Sequence, residues 1–239
     1  EGFLRSLFEI LGLTLPVADH STLSRRGKHL QVSLPKCAGG ALHLVMDSSG
    51  LKVYGEGEWK VRQHGYSKRR TWRKLHLLVD ADSHEIQAAF LSQAGLPDAD
   101  LVAPALAEVE QPIASFGGDG AYDKRKVYQA LQARAPDATI NIPPRKDARI
   151  WQHGNTKAPP LPRDENLRAI RQMGRKQWKQ VSGYHRRSLA ETAMYRLKTM
   201  FGDQLTARLL QTQVTQALIR CKAVNQMTHL GMPESFLVS

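Results

Sequence analysis

Near the C-terminal end of the chain, the stretch GYHRRSLAETAMYRLKTMFG carries Tyr184, Arg187, Glu191 and Lys198. If it is helical, each residue advances about 100°, and the four side chains fall within an arc of roughly 60°. Leu189, Met194, Leu197, Met200 and Phe201 fill the neighbouring arc. A polar stripe on the rim of a buried face can look into a site. There, Arg187 and Lys198 could hold a phosphate, and Tyr184 could donate to a phosphate or stack on a sugar or base.

Two further carboxylates belong with Glu191. Asp47 ends the apolar run of ALHLVMDSSG, and Asp119 sits among glycines in SFGGDGAYD. Each reads as an acid at the end of a strand, where sites tend to lie. Taken singly, both aspartates also read as turn residues, and a helical glutamate ordinarily faces solvent. Taken together, the three make an oxygen-only cage of the kind hard cations prefer. Mg²⁺ is the expected ion, with Mn²⁺ as a substitute and two ions per site. Such a pair suits phosphodiester chemistry, in which one ion activates a water or 3′-hydroxyl and the other stabilises the leaving oxygen.

The elements that must position these residues follow an α/β order. Residues 3–13 have helical apolar spacing, and STLSRRGKHL suggests a second short helix with Ser21 as a possible N-cap. From Leu42 the pattern turns to strands. TWRKLHLLVD and EIQAAFLSQ read as a hairpin joined at ADSH. DADLVAPALAEVE reads as a helix, IASFGGDG as a strand and DKRKVYQALQAR as a helix capped by Asp123. ATINIPP is a strand stopped by its prolines. Residues 145–163 are basic and irregular. Helices follow around DENLRAIRQM, along the Tyr184–Lys198 stretch, and from about Gln204 to Met227. The expected division is a helical segment over residues 1–36 and a catalytic domain over 37–239, with an insertion at about 144–182.

Composition narrows the partner. The 239 residues include 34 Lys and Arg against 22 Asp and Glu, a formal net charge of +12, which favours a polyanion. No apolar run approaches the ~20 residues of a membrane span. EGFLRSLFEILGL alternates charge with apolar residues and lacks a cleavage site, so no signal peptide is expected. Cys37 and Cys221 lie far apart with no zinc-type spacing, and they fit a reducing cytoplasm. His64, His76, His84, His153 and His185 share no metal spacing either. Glu56 and Glu58 read as an exposed turn, and Asp80 and Asp82 as part of the hairpin. GEG and GGDG lack the Lys-Ser/Thr pair of a phosphate loop. From Lys60 to Lys74 the chain holds Lys60, Arg62, Lys68, Arg69, Arg70, Arg73 and Lys74 with no acid. Tyr66 and Trp72 are interleaved, as in a surface that neutralises phosphates and stacks on unpaired bases. The plainer reading is a strand edge guarded by cations.

YHRRSLAETAMYRLK fits Y-x2-R-x3-E-x6-K, and in this the chain resembles the bacterial insertion-sequence DDE transposases. DSSGLKVYGEGEWKVRQHG, KRRTWRKLHLLVDA and GDGAYD are similar to the surroundings of that family's first two acids. The resemblance runs from about Leu13 to Ser239. It implies an RNase H-like mixed sheet flanked by helices, with Asp47, Asp119 and Glu191 as catalytic, metal-binding acids. Beside it, the residues themselves point to DNA or phosphate contacts by Tyr184, Arg187 and Lys198 on the stripe and by Arg69, Arg70, Trp72, Arg73 and Lys74 in the basic stretch. The expected activity is metal-dependent cleavage and strand transfer at the ends of a mobile element. Its partners are double-stranded DNA at element ends and target, with a homodimer assembled on DNA, in the cytoplasm at the nucleoid. The rivals are a nuclease or resolvase of the same fold, or a non-catalytic DNA-binding remnant. Relatives carry a longer N-terminal region for recognising element ends, so weak end discrimination is expected.

Overall fold

The computed structural model of the chain describes residues 1–34, 39–53, 72–152 and 159–231. Arg69, Arg70 and most of the basic stretch from Lys60 lie outside the described residues, as do Cys37, Glu56, Glu58, His64 and His153. Two short helices come first, α1 (Gly2–Ile10) and α2 (His20–Arg26), and neither buries a residue. Asp19, rather than Ser21, caps α2: its carboxylate accepts from the Ser21 and Thr22 amides.

A meander follows, of β1 (Leu42–Val53), β2 (Trp72–Asp80) and β3 (Ile86–Gln93). Then come α3 (Val102–Ala107), β4 (Ile113–Gly117), α4 (Arg125–Arg134) and β5 (Thr139–Asn141). The chain continues through α5 (Pro162–Met173), α6 (Arg175–Val181), α7 (Ser188–Phe201), β6 (Gln204–Leu205) and α8 (Leu210–His229). The sheet order is β3-β2-β1-β4-β5, and β6 joins the far end of β1. β1, β2 and β3 pair antiparallel, whereas β4 lies parallel to both β1 and β5. This is an RNase H-like mixed sheet, with the long strand β1 at its centre.

A central strand is buried on both faces, so β1 carries apolar residues of both parities near its start. Leu42, Leu44 and Met46 pack with Val102, Leu106, Val127 and Leu131 of α3 and α4. Val45 and Leu51 face the other way, against Ala193, Met194 and Leu197 of α7 and Ala217, Cys221 and Val224 of α8. The β2–β3 hairpin turns where ADSH suggested. Asp80 fixes it by accepting from the Ser83 amide and hydroxyl and from the His43 amide.

Several local expectations need correction. Asp47 does not end its strand: β1 continues to Val53, because β2 pairs with it as far as Lys52 and β6 takes over beside Lys52 and Val53. The segment after β3 is a 3₁₀ turn (Asp98–Asp100) followed by the short α3, with Pro104 in the first turn, where a missing N–H costs nothing. The last helix starts at Leu210 because Gln204 and Leu205 join the sheet. Asp123 does not cap α4; Lys124 holds the cap position. Asp123 is instead buried in a non-local ion pair, accepting from Arg163 Nε at 2.8 Å. Arg163 also reaches Asp164 at 3.2 Å and lies 3.9 Å from the centre of the Trp151 ring. This group fastens the loop after β5 and the start of α5 to the segment that follows Asp119.

Candidate active site

β4 stops at Gly117, beside Val45, while β1 runs on. Asp47 therefore projects into the gap between β4 and β6 on that edge of β1, two residues beyond the last β1–β4 pair. Asp119 follows β4 by two residues and arrives at the same level. Its carboxylate accepts from the Ala121 amide at 2.8 Å, starting the 3₁₀ turn Gly120–Tyr122. Gly118 is required here, since a Cβ on it would stand 2.8 Å from the Tyr122 ring.

The Tyr184–Lys198 stripe is built from two elements rather than one helix. Tyr184–Arg187 is a 3₁₀ turn, entered from Gly183 in the left-handed region at φ 70°, and α7 begins at Ser188. Ala190, Ala193, Met194 and Leu197 seat α7 on the sheet, which leaves Glu191 exposed in its first turn. Arg187 bridges the strand and the helix. Its guanidinium meets Glu191 at 2.6 Å and approaches Asp47 at 3.8 Å. Lys198 donates to Ser49 Oγ at 2.5 Å, and Ser49 shares the Asp47 side of β1. Tyr184 is half-buried, its ring flanked by Lys179 at 4.9 Å and Arg187 at 5.7 Å. A base has little free ring to stack on there.

Burial pushes the Asp47 carboxyl above its ordinary range. The Ser48 amide and Arg187 oppose that shift, while the charges of Asp119 and Glu191 add to it. Asp47 thus lies within electrostatic reach of both Asp119 and Glu191. Among the described residues, their ligand atoms do not all come within 4.8 Å of each other; Glu1, Asp19 and His20 are the group that meets this spacing. That group is exposed at the chain's start. Hard oxygen donors gathered this way, Asp47 and Asp119 half-buried and Glu191 exposed, fit a divalent cation, while Arg187 offsets the acids' charge. Burial opposes charge on Arg187, but Tyr184, Glu191 and Asp47 outweigh it and raise its affinity for the proton.

The residues of β2 expected to touch DNA fall differently. Trp72 packs over Gly50, with Lys52 5.9 Å from its ring centre. Arg73 donates to Gln213 at 2.9 Å. Lys74 turns to the opposite face, bonding Asp98 and the Leu96 carbonyl, both at 3.1 Å. Sequence reasoning missed Ser49, Tyr122 and the pocket lined by His43, Ser115, Asn141, Tyr184, Arg186 and Arg187. Ser49 and Tyr122 each carried a signal, by standing inside DSSGLKVYGEGEWKVRQHG and GDGAYD.

Residues 38–226 match a family model described as a transposase DDE domain. Residues 1–56 match a second model of the same description. Among solved structures, a piggyBac transposase in a synaptic complex with hairpin DNA aligns at 11% identity and a TM-score of 0.45. The alignment covers 80% of this chain and 47% of that one, so the chain spans about half the length of that transposase.

Proposed function

Because the chain belongs to the transposase DDE domain family, we propose that it cleaves DNA at the ends of a mobile element and joins the freed strands to a target. The observation that carries this reading is Arg187, which ties Asp47 on the central strand to Glu191 on α7, with Asp119 coupled to the same group. Three carboxylates delivered by three separate elements, with cations woven between them, make a site for phosphoryl transfer. Asp47, Asp119 and Glu191 would hold divalent cations, which supply Lewis-acid activation of the attacking oxygen and charge stabilisation at the leaving oxygen.

The remaining work falls to the chain's own groups. Arg187 presents a planar pair of donors that suits a phosphate when it turns from the acids. Lys198 bonds a hydroxyl rather than a carboxylate, and from its place at Ser49 it adds a point charge beside the same phosphate. The Tyr184 hydroxyl stays protonated, since burial raises its pKa, and it can donate to a phosphate oxygen. A net charge of +12 brings the polyanion to the site. Among the described residues, no helix is long and apolar enough to cross a membrane.

The test is a strand-joining assay on pre-cleaved ends with Mg²⁺, run beside Asp47→Asn, Asp119→Asn and Glu191→Gln. Joined product from the wild type alone supports the reading. Hydrolysis without joining would make the chain a nuclease, and binding without either reaction would make it a DNA-binding remnant.

A further inference from the structure

The pocket beside the acids has a floor set by strand register. His43 and Val45 of β1 stand opposite Ser115 and Gly117 of β4, and Gly117 stands opposite Asn141 of β5. Side chains two apart on a strand share a face, so His43, Val45 and Asp47 point the same way. His43 precedes Asp47 by four residues, roughly 13 Å along an extended strand. The 3₁₀ turn Tyr184–Arg187 packs on β1 and β4 and brings Arg186 and Arg187 to the lining. The pocket therefore continues the candidate active site along one face of the sheet.

Its lining holds two guanidiniums, an imidazole, two hydroxyls and a carboxamide, and no carboxylate among the described residues. It spans about 250 Å³ with its open mouth included, which suits a compact group rather than a larger ligand. An acid does stand at the rim. Asp82, in the β2–β3 turn, pairs with Arg186 and lies 3.8 Å from His43 Nε2. Ser115 Oγ holds His43 Nδ1 at 2.8 Å, so where the serine donates, Nε2 carries the ring proton on the Asp82 side. A carboxylate held by these two groups marks a place that accepts an anion. A phosphate brings the same charge and a fork of acceptors that a guanidinium matches.

Resting on the DNA-cleavage reading above, we propose that this pocket is a second phosphate subsite. Arg186 and His43 take a backbone phosphate of the strand held at the acids, and Asp82 keeps their place in the free protein. Both side chains of the Arg186–Asp82 pair are exposed, and such a pair is weak enough to exchange. The subsite fixes the strand's position relative to Asp47 and reads no base. The competing explanation is that Arg186 and Asp82 only tie the 3₁₀ turn to the hairpin.

Binding of a short DNA duplex to the full chain, followed across salt concentrations in EDTA, separates the two without involving the metal. Arg186→Ala is expected to flatten the log–log slope by about one unit, with little change in melting temperature. Asp82→Asn is expected to tighten binding about two- to fivefold, the strength of an exposed ion pair. That gain cannot come from misfolding. Glu108→Gln, an exposed acid just past α3 on the opposite face of the sheet, is the control and should bind as the wild type does. An unchanged slope in Arg186→Ala overturns the subsite, as does an Asp82→Asn affinity no higher than that of the control. Lower melting temperatures in both variants with unchanged DNA binding make the pair a structural tie. Inorganic phosphate that binds through Arg186 while the DNA slope stays unchanged makes the pocket a site for a free anion, and the assignment to DNA fails. Strand joining by the wild type tests the catalytic reading separately. If joining occurs and the two binding shifts do not, only the subsite fails. If the shifts occur without joining, the subsite stands and the transposition reading fails.

Discussion

Arg187 stands between two acids that come from different parts of the chain, yet it does not fully offset their repulsion. Asp47 ionises against its surroundings: burial and the charges of Asp119 and Glu191 outweigh the Ser48 amide and Arg187. An acid whose folded pKa is raised binds its proton more readily in the native state than in the unfolded chain. Its ionisation therefore lowers stability as pH rises from 3.8 through the raised folded pKa. Asp47→Asn should abolish strand joining yet hold or raise the melting temperature in EDTA, by about 2–4 °C for each ~1 kcal/mol relieved. A lower melting temperature would mean that Asp47 supports the fold. Lys198→Ala should reduce strand joining by at least about tenfold with little change in melting temperature, because its hydrogen bond to Ser49 is part-exposed. A collapse in stability with normal activity per folded molecule would make that lysine structural. At this scale the sequence is readable where chemistry is local. Asp119 and Glu191 stand in short motifs whose spacing can be read directly. Asp123 looks like a helix cap because its partner, Arg163, lies 40 residues away and leaves no trace in local spacing. Tyr122 escapes notice because an aromatic ring inside a motif looks like core.

The elements set the level at which the acids meet. β1 outruns β4, which puts Asp47 beside a gap rather than at a strand end, and only pairing with β2 and β6 reveals this. The hairpin, the parallel strands and the seating of α7 are legible from alternation, turn residues and helical periodicity. The two-residue β6 is not, since a strand that short has no period. The stripe from Tyr184 to Lys198 divides at Ser188 because Gly183 launches a 3₁₀ turn. β2 carries a second consequence. His76 is fully buried, with Nε2 2.9 Å from Ser92 Oγ on β3 and Nδ1 3.4 Å from Asp98, beside Lys74. Burial, against the pull of Asp98, lowers its pKa to about 4. Between about pH 6.5 and about 4 the unfolded chain binds this proton and the native state does not. Stability is thus present above that window and lost as pH falls through it, on the order of 3 kcal/mol. Denaturant melts from pH 7 to 4 should show the decline, and His76→Gln should flatten it. An equal decline in the variant would assign the acid lability elsewhere.

As a whole, the molecule is a sheet covered on both faces, with the acids where a strand ends early and a large excess of positive charge along the chain. The composition alone points to a polyanion, and the arrangement gives that charge a target. Neutralising Arg69 and Arg70 together should flatten the salt dependence of DNA binding by roughly one unit of log–log slope for each phosphate they neutralise. An unchanged slope would show that this pair faces away from DNA. The mixed character of the sheet follows from the pattern of elements, because strands in a hairpin and strands separated by helices pair in different directions. The anchoring of α5 does not, since the residues that precede it are irregular and the Arg163 ion pair that holds it is non-local. The central claim is that Asp47, Asp119 and Glu191 act as one cation-binding group. Anomalous diffraction from crystals soaked in Mn²⁺ tests it most directly. The account predicts a peak bonded to carboxylate oxygens of all three residues and absent from Asp119→Asn. Mn²⁺ bound only elsewhere on the chain, or any one of the three carboxylates turned away from the ion, would contradict it.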